Sequence, residues 1–108
     1  AAELEAQLAL VFGARVLLLG ERSRVVQRVA ICSGRAASSL EEAARAGADL
    51  YLTGEADEGS RAMALELGIL MAAAGHYNTE TFGVRALGKR LEERFGVSTR
   101  FFFEPNPI

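Results

Sequence analysis

Short apolar runs alternate with helix-like segments through most of the chain, and this alternation most constrains its fold. The runs "RVAIC", "DLYLT" and "ILMAAA" are typical of buried strands because nearly all of their residues are apolar. The helix-like segments between and after them end at glycines, which are Gly47, Gly68 and Gly96. Strands connected through helices predict a three-layer α/β fold, with helices on both faces of a mostly parallel or mixed sheet.

The first 27 residues add a helix and a strand to this pattern. A helix is predicted over "AELEAQLALVFG", with Gly13 at its end. The apolar residues on one face of this helix are Leu4, Leu8, Val11 and Phe12. "ARVLLL" is typical of a short buried strand, and "GERSRVVQ" predicts either an internal linker or an exposed connection. At 108 residues the chain has the length of one α/β domain.

Composition excludes several classes of protein. No apolar stretch is long enough to span a bilayer, and no signal peptide is visible. A net charge of −2 gives no reason to expect nucleic acid. The single Cys32 lies in an apolar run, which predicts a buried thiol, excludes a disulfide framework and favours the cytoplasm. Eleven arginines against one lysine are typical of a GC-rich or heat-adapted source.

Six candidate functional residues, five polar ones and one glycine, follow the three predicted strands. They are Ser33 and Gly34 after "VAIC", Glu55 and Asp57 after "LYLT", and His76 and Glu80 after "ILMAAA". In a largely parallel sheet, ligands bind outside the carboxyl ends of the strands. We therefore expect these six residues along one rim of the sheet.

Glu80 precedes the apolar stripe of the last helix, which is predicted from Thr79 to Phe95. The stripe consists of Val84, Leu87, Leu91 and Phe95. Glu80 continues this spacing, so its carboxylate is expected to face the sheet and to need a donor, a cation or a metal. It either caps the first turn of the helix, or ligates Zn, Mn, Fe or Co together with His76.

Three further segments allow weaker interpretations. "SGRAASS" has the character of a phosphate-binding loop, but a tight strand-to-helix turn explains Gly34 equally well. Ser39 and Glu42 have capping-box spacing. "VSTRFFF" predicts a last strand with both faces covered, one of them by a partner.

Two motifs in this order resemble the C-terminal part of the Nif-three-like family, the dinuclear-metal proteins known as GTP cyclohydrolase type 2 homologues. The family pattern A-x-x-G-x-D-x-x-x-T-G-[DE], followed by G-H-x-x-T-E, matches over residues 28–108. The matching residues are Ala44, Gly47, Asp49, Thr53, Gly54 and Glu55, then Gly75, His76, Thr79 and Glu80.

This resemblance implies that His76 and Glu80 are ligands in a site for two divalent metal ions, which would be Zn, Mn, Fe or Co. It implies a metal-dependent hydrolase, with a small molecule or nucleotide as substrate, assembled as a toroidal homohexamer. Glu55 would then orient His76 or a bound water, and Ser33 and Gly34 would line the cavity.

The chain also departs from the family pattern. Family members are longer, and their N-terminal half supplies paired histidines and an aspartate, whereas His76 is the only histidine here. We therefore interpret the chain as the C-terminal portion of a longer one, inactive by itself, with residues 1–27 as a connecting segment and residues 28–108 carrying the motifs. The alternative is a non-catalytic oligomer-assembly module whose rim residues are structural.

Overall fold

The chain folds around one mixed sheet that has helices on both faces. The computed structural model describes residues 2–108. Its helices are α1 (Ala2–Phe12), α2 (Leu40–Arg45), α3 (Ser60–Glu66) and α4 (His76–Phe95), with a 3-10 turn (Ala37–Ser39) leading into α2. Its strands are β1 (Leu17–Gly20), β2 (Val29–Ile31), β3 (Leu50–Thr53) and β4 (Leu70–Ala73). The predicted three-layer α/β class is confirmed.

The sheet order places the ends of three parallel strands at one edge. The strands lie in the order β1-β4-β3-β2; β2, β3 and β4 are parallel, and β1 is antiparallel to β4. Ile31 pairs with Leu52 and Thr53 pairs with Ala73, so the three parallel strands finish nearly level. We call this the carboxyl edge, and the loops after β2, β3 and β4 all leave from it.

The two central strands, β3 and β4, hold the core together. Every residue of both is buried, which explains their continuous apolar sequence. Tyr51 and Met71 belong to the cluster formed with α2 and α3 on one face. Leu50 and Leu70 belong to the cluster on the other face, which the partly buried Leu4, Leu8 and Phe12 of α1 cover. Residues 2–20 therefore contribute to the same sheet and core as the motif-bearing region.

Strand β2 lies at an edge of the sheet and is largely exposed. Ile31 is 70% exposed, and Val29 is 45% exposed. Cys32 follows the end of β2 and is exposed, so the prediction of a buried thiol is wrong. An apolar run does not distinguish an edge strand from a central one, because the run itself does not specify whether one or two strands pair with it.

Helix α2 lacks the capping box that Ser39 and Glu42 predict. Ser39 makes no side-chain bond at the helix start, because the 3-10 turn runs directly into α2 and the Ser39 amide donates to Ala36 at 3.1 Å. The glycines predicted to end helices are confirmed, since each has a positive φ just past a helix end. They are Gly13, Gly47, Gly68 and Gly96.

Helix α4 begins at His76, three residues before the predicted start, and its apolar stripe does not pack on the sheet. Leu87 is 58% exposed and Phe95 is 65% exposed, whereas the buried residues of α4 are Thr79 and Thr81. The expectation that the stripe faces the sheet is therefore wrong. Across residues 2–108, none of the helices combines the length and apolar character that a bilayer span requires.

Residues 97–103 form no strand, contrary to the prediction from "VSTRFFF". Their polar groups bind to α4 instead: the amide and hydroxyl of Thr99 donate to the Glu92 carboxylate at 2.9 and 2.7 Å. The guanidinium of Arg85 lies 5.6 Å from the ring centre of Phe101. Because side chains of α4 supply these contacts, the segment follows the helix rather than joining the sheet.

Asp49 fastens the connection between β1 and β2 to the start of β3. Its carboxylate accepts hydrogen bonds from the Arg24 guanidinium at 3.0 and 2.7 Å, and from the amides of Gln27 and Arg28 at 3.0 and 2.9 Å. The bond from Arg24 is the largest cause, followed by the two amides, of a pKa for Asp49 lowered to about 2. The motif aspartate thus has a structural role in this fold.

We predict that Asp49→Asn lowers the denaturation midpoint at neutral pH. Because the pKa of Asp49 is lower in the folded chain, its contribution is present above the unfolded value of about 3.9. That contribution is lost as the pH falls toward about 2. Chemical denaturation at pH 7 and at steps down to pH 2 should show the two midpoints converging.

The matched control is Asp57→Asn, whose exposed carboxylate lies 3.6 Å from Arg35 without amide donors. This variant should unfold like the original chain at pH 7. A difference between Asp49→Asn and the original chain that stays constant down to pH 2 would contradict the prediction.

Candidate metal centre

Backbone hydrogen bonds join the three loops that leave the carboxyl edge. The carbonyl oxygen of Gly34, after β2, accepts from the amides of Gly54 and Glu55 at 2.9 and 3.2 Å. The amide of Gly75, after β4, donates to the Gly54 carbonyl at 2.9 Å. Because each loop is bonded to the next, the side chains that follow these strands are held at one place on the edge.

Glycine is required at positions 34 and 54 for different reasons, which are backbone conformation at position 34 and close approach of the loops at position 54. A Cβ atom on Gly54 would lie 2.5 Å from the Gly34 carbonyl oxygen and 2.6 Å from the Cα atom of His76. Gly34 has a φ of +72°, and a Cβ atom there would lie 2.6 Å from a carboxylate oxygen of Glu80. A side chain at either position would therefore displace a group in or beside the site.

The His76 imidazole lies between two carboxylates. Its Nδ1 donates to Oε1 of Glu55, after β3, at 2.5 Å. Its Nε2 lies 3.2 Å from Oε1 of Glu80, one turn later in α4. The imidazole is 40% exposed and the Glu80 side chain is 53% exposed. Since Glu55 occupies Nδ1, the nitrogen that faces the open side of the site is Nε2.

The surroundings of His76 favour a positive charge. The hydrogen bond with Glu55 is the main cause of a pKa for His76 that is raised above its ordinary value, although desolvation partly opposes it. The negative charge of Glu80 adds to the increase. Carboxylates that stabilise a proton on an imidazole are also the groups that stabilise a nearby divalent cation.

These groups fit one part of a metal site. An imidazole nitrogen and a carboxylate oxygen are common ligands, and ligating histidines usually give their other nitrogen to a carboxylate or carbonyl. Within residues 2–108, however, no group of three His, Cys, Asp or Glu side chains is arranged to hold a metal ion. A metal bound by His76 and Glu80 would need further ligands from outside this set.

The other predicted rim residues lie at different distances from His76 and Glu80. Gly34 is buried against them, whereas Ser33 is exposed. Asp57 is exposed and faces Arg35 at 3.6 Å. Glu80 itself does not point into the sheet as expected, because α4 begins at His76 and this start turns Thr79 inward instead.

A cavity of about 860 Å³ adjoins Glu55. The residues from the tail after α4 that line it are Phe103, Pro105, Asn106, Pro107 and Ile108. Tyr77 anchors this tail, because its hydroxyl accepts from the Glu104 amide at 2.9 Å and its own amide donates to the Ile108 carbonyl at 3.2 Å. The volume lies in the range of small-molecule pockets, about 300–1,000 Å³. Nothing in the sequence predicts this wall beyond the prolines of the irregular tail.

Sequence reasoning also overlooked Thr79. Its side chain is buried, and its hydroxyl accepts a hydrogen bond from the Gly34 amide at 2.9 Å. The sequence signal for this residue is its position between His76 and Glu80 in "GHYNTE".

Two solved structures superpose closely on this chain over nearly its whole length. One described as "protein ybgI, unknown function" superposes with a TM-score of 0.91 at 38% identity, over 99% of this chain and 44% of that chain. TTHA1606 from Thermus thermophilus superposes with a TM-score of 0.82 at 31% identity, over 98% of this chain and 43% of that one.

The similar sequences carry one shared name. A "GTP cyclohydrolase 1 type 2 homolog" from Allochromatium vinosum is 45% identical over 91 residues, which are 84% of this chain and 36% of that protein. One from Neisseria meningitidis serogroup A is 40% identical over 104 residues, 96% of this chain and 42% of that protein. The chain thus spans about two fifths of the length of these relatives. The model of the Duf34/NIF3 (NGG1p interacting factor 3) family matches residues 1–107, and the chain belongs to this family.

Proposed function

We propose that the chain is the C-terminal part of a dinuclear-metal hydrolase and contributes two ligands, His76 and Glu80, to its metal site. One observation carries the proposal: Glu55 holds Nδ1 of the imidazole at 2.5 Å, while Nε2 lies 3.2 Å from the Glu80 carboxylate. The relatives named as GTP cyclohydrolase 1 type 2 homologues support a hydrolytic reaction.

The rim residues have distinct roles in this proposal. Nε2 of His76 and the carboxylate of Glu80 bind a divalent ion, which is Zn, Mn, Fe or Co by ligand type. Glu55 keeps the imidazole in the orientation and protonation that ligation needs. Gly34 forms the backbone wall beside these two ligands, whereas Ser33 is exposed and has no contact with them that supports a role. Two such ions would supply Lewis acidity for attack by water on a small-molecule or nucleotide substrate.

The site is completed by residues that this chain does not supply. The ligand pair is too few for two ions, and the chain spans only 36 to 42% of the relatives that carry the homologue name. The chain alone is therefore expected to bind metal weakly and to lack hydrolase activity. The complete protein would act in the cytoplasm, as the composition suggests.

We predict that His76→Ala removes metal binding by this chain. Titration with Zn²⁺ followed by calorimetry should show saturable binding by the original chain and a loss of at least about tenfold in affinity for the variant. Thermal unfolding of the metal-free variant should stay close to that of the original chain, because His76 is partly exposed. Glu93→Gln, on the exposed face of α4, is the control and should bind normally. Unchanged Zn²⁺ affinity in His76→Ala would eliminate this assignment.

We predict that Glu55→Gln weakens Zn²⁺ binding by about 10–100-fold, since it removes the carboxylate that holds the ligating histidine. The same change removes the main cause of the raised pKa of His76. In the metal-free chain the His76 pKa should fall toward its ordinary value, and NMR titration can follow it without ambiguity because the chain has one histidine. Glu58→Gln is the control. A His76 titration that is the same in Glu55→Gln and the original chain would rule out the proposed role of Glu55.

An assembly module is the second candidate function, and the exposed apolar surface of α4 favours it. Val84, Leu87 and Phe95 are 57%, 58% and 65% exposed on one stripe of the helix. The neighbouring Phe102 and Phe103 are 73% and 66% exposed. An exposed patch of this kind is typical of a protein interface, and we propose a homo-oligomer, a hexamer in the complete protein. This role is compatible with a part in the metal site.

We predict that the chain self-associates through this stripe. Light scattering over a concentration series should show an oligomer that survives a chelator, because apolar burial rather than metal holds it together. Leu87→Asp should shift the mass toward the monomer, whereas Lys89→Asp on the exposed polar face should not. A chain that stays monomeric at every concentration would contradict the assembly role.

A further inference from the structure

A buried hydroxyl links the loop after β2 to the start of α4. The Thr79 side chain is 9% exposed, and its Oγ1 accepts from the Gly34 amide at 2.9 Å. The same hydroxyl lies 3.0 Å from the carbonyl oxygens of Gly75 and His76 and donates its proton to one of them. Thr79 therefore uses both its acceptor and its donor capacity, one toward the β2 loop and one toward its own helix start.

The β2 loop that Thr79 binds lies directly against the two proposed ligands. A Cβ atom on Gly34 would be 2.6 Å from Oε1 of Glu80 and 3.2 Å from Nε2 of His76. The Gly34 backbone thus forms one wall of the space between these atoms. Any outward movement of the loop would leave Glu80 free to move away from His76, because the Glu80 side chain is 53% exposed.

The opposite side of Gly34 is already fixed. Its carbonyl oxygen accepts from the amides of Gly54 and Glu55 and from the hydroxyl of Thr53 at 2.9, 3.2 and 3.2 Å. These bonds tie the loop to β3 but not to α4, which carries both His76 and Glu80. The bond from the Gly34 amide to Thr79 is the polar contact that ties the loop to α4.

We propose that Thr79 is a positioning residue whose hydroxyl holds the Gly34 loop against α4 and thereby sets the separation of His76 Nε2 and Glu80 Oε1. The inference rests on the proposed metal-binding function for its consequence, a site spaced for an ion. It concerns residues of this chain alone and can be tested in the absence of metal. Its specific requirement is a hydroxyl at position 79, because a methyl group there can neither accept from Gly34 nor donate to α4.

The test compares Thr79→Val with Thr79→Ser and Thr81→Val. Thr81 is the matched control because it is equally buried, at 9%, and its hydroxyl donates to Asn78 within α4 at 3.2 Å. We expect about a tenfold loss of Zn²⁺ affinity in Thr79→Val, near-normal affinity in Thr79→Ser, and little change in Thr81→Val. Calorimetry gives the affinities, and chemical denaturation gives the stability of each variant.

A second readout uses the metal-free chain. In Thr79→Val the Gly34 amide should exchange with solvent faster and the NMR signals of the His76 ring should shift, whereas Thr79→Ser and Thr81→Val should leave both unchanged. Equal losses of Zn²⁺ affinity in Thr79→Val and Thr81→Val would overturn the proposal by reducing Thr79 to a stability residue. Unchanged Gly34 exchange and His76 signals in Thr79→Val would also overturn it.

Gly34→Ala offers a second variant that keeps Thr79. Its methyl group should push Glu80 away from His76 and weaken Zn²⁺ binding, whereas Gly59→Ala is the control because a Cβ atom there has no neighbour within 4 Å. Normal Zn²⁺ affinity in Gly34→Ala would contradict the role of this wall. Failure of the original chain to bind Zn²⁺ would contradict the predicted metal binding by this chain, and the metal-free signals of Gly34 and His76 would still decide the positioning role.

Discussion

The carbonyl oxygen of Gly34 lies where the loops after β2 and β3 meet, and it accepts hydrogen bonds from the amides of Gly54 and Glu55. This junction determines where Glu55 stands, and Glu55 in turn holds the imidazole of His76. The parallel pairing of the strands brings the three loops to one edge, but backbone bonds between the loops turn that proximity into fixed geometry. Glycine at position 54 is the condition for this contact, since a Cβ atom there would lie 2.5 Å from the Gly34 carbonyl oxygen, while glycine at position 34 permits a φ of +72°.

The charges around His76 depend on the same contact between the loops. Two carboxylates flank one imidazole, and the pKa of His76 is raised above its ordinary value, mainly by the hydrogen bond with Glu55 and further by the negative charge of Glu80. Glu55 and Glu80 have different positions relative to solvent, since their side chains are 27% and 53% exposed. The more buried carboxylate holds the ring and the more exposed one faces the open side. In the proposed metal site, this division would leave Nε2 and Glu80 to bind the ion, while Glu55 holds the imidazole.

Much of this arrangement could be predicted from the sequence, because a strand and the residues that directly follow it are adjacent in the chain. The runs "LYLT" and "ILMAAA" identify buried parallel strands, and the residues that follow them, Glu55 and His76, therefore meet at the carboxyl edge. The sequence misled where the outcome depends on what covers a surface. The stripe of α4 and the segment "VSTRFFF" have the apolar spacing of buried elements, yet they are largely exposed in this chain. Periodic apolar residues predict that one face of an element is buried, but they do not identify the surface that buries it.

The proposed metal site and the exposed apolar stripe of α4 lie on the same helix, and this limits how a further part of the protein could reach both. In the proposed metal site, further ligands would approach Nε2 from the exposed side of Glu80, because Glu55 occupies Nδ1 and the Gly34 backbone closes the opposite wall. The apolar stripe continues along α4, whose 20 residues extend about 30 Å at 1.5 Å per residue. Both His76 and the stripe belong to this one rigid helix. A surface that packs along the stripe would therefore also be positioned, through α4, relative to His76, so burial of the helix and completion of the site are expected to be coupled.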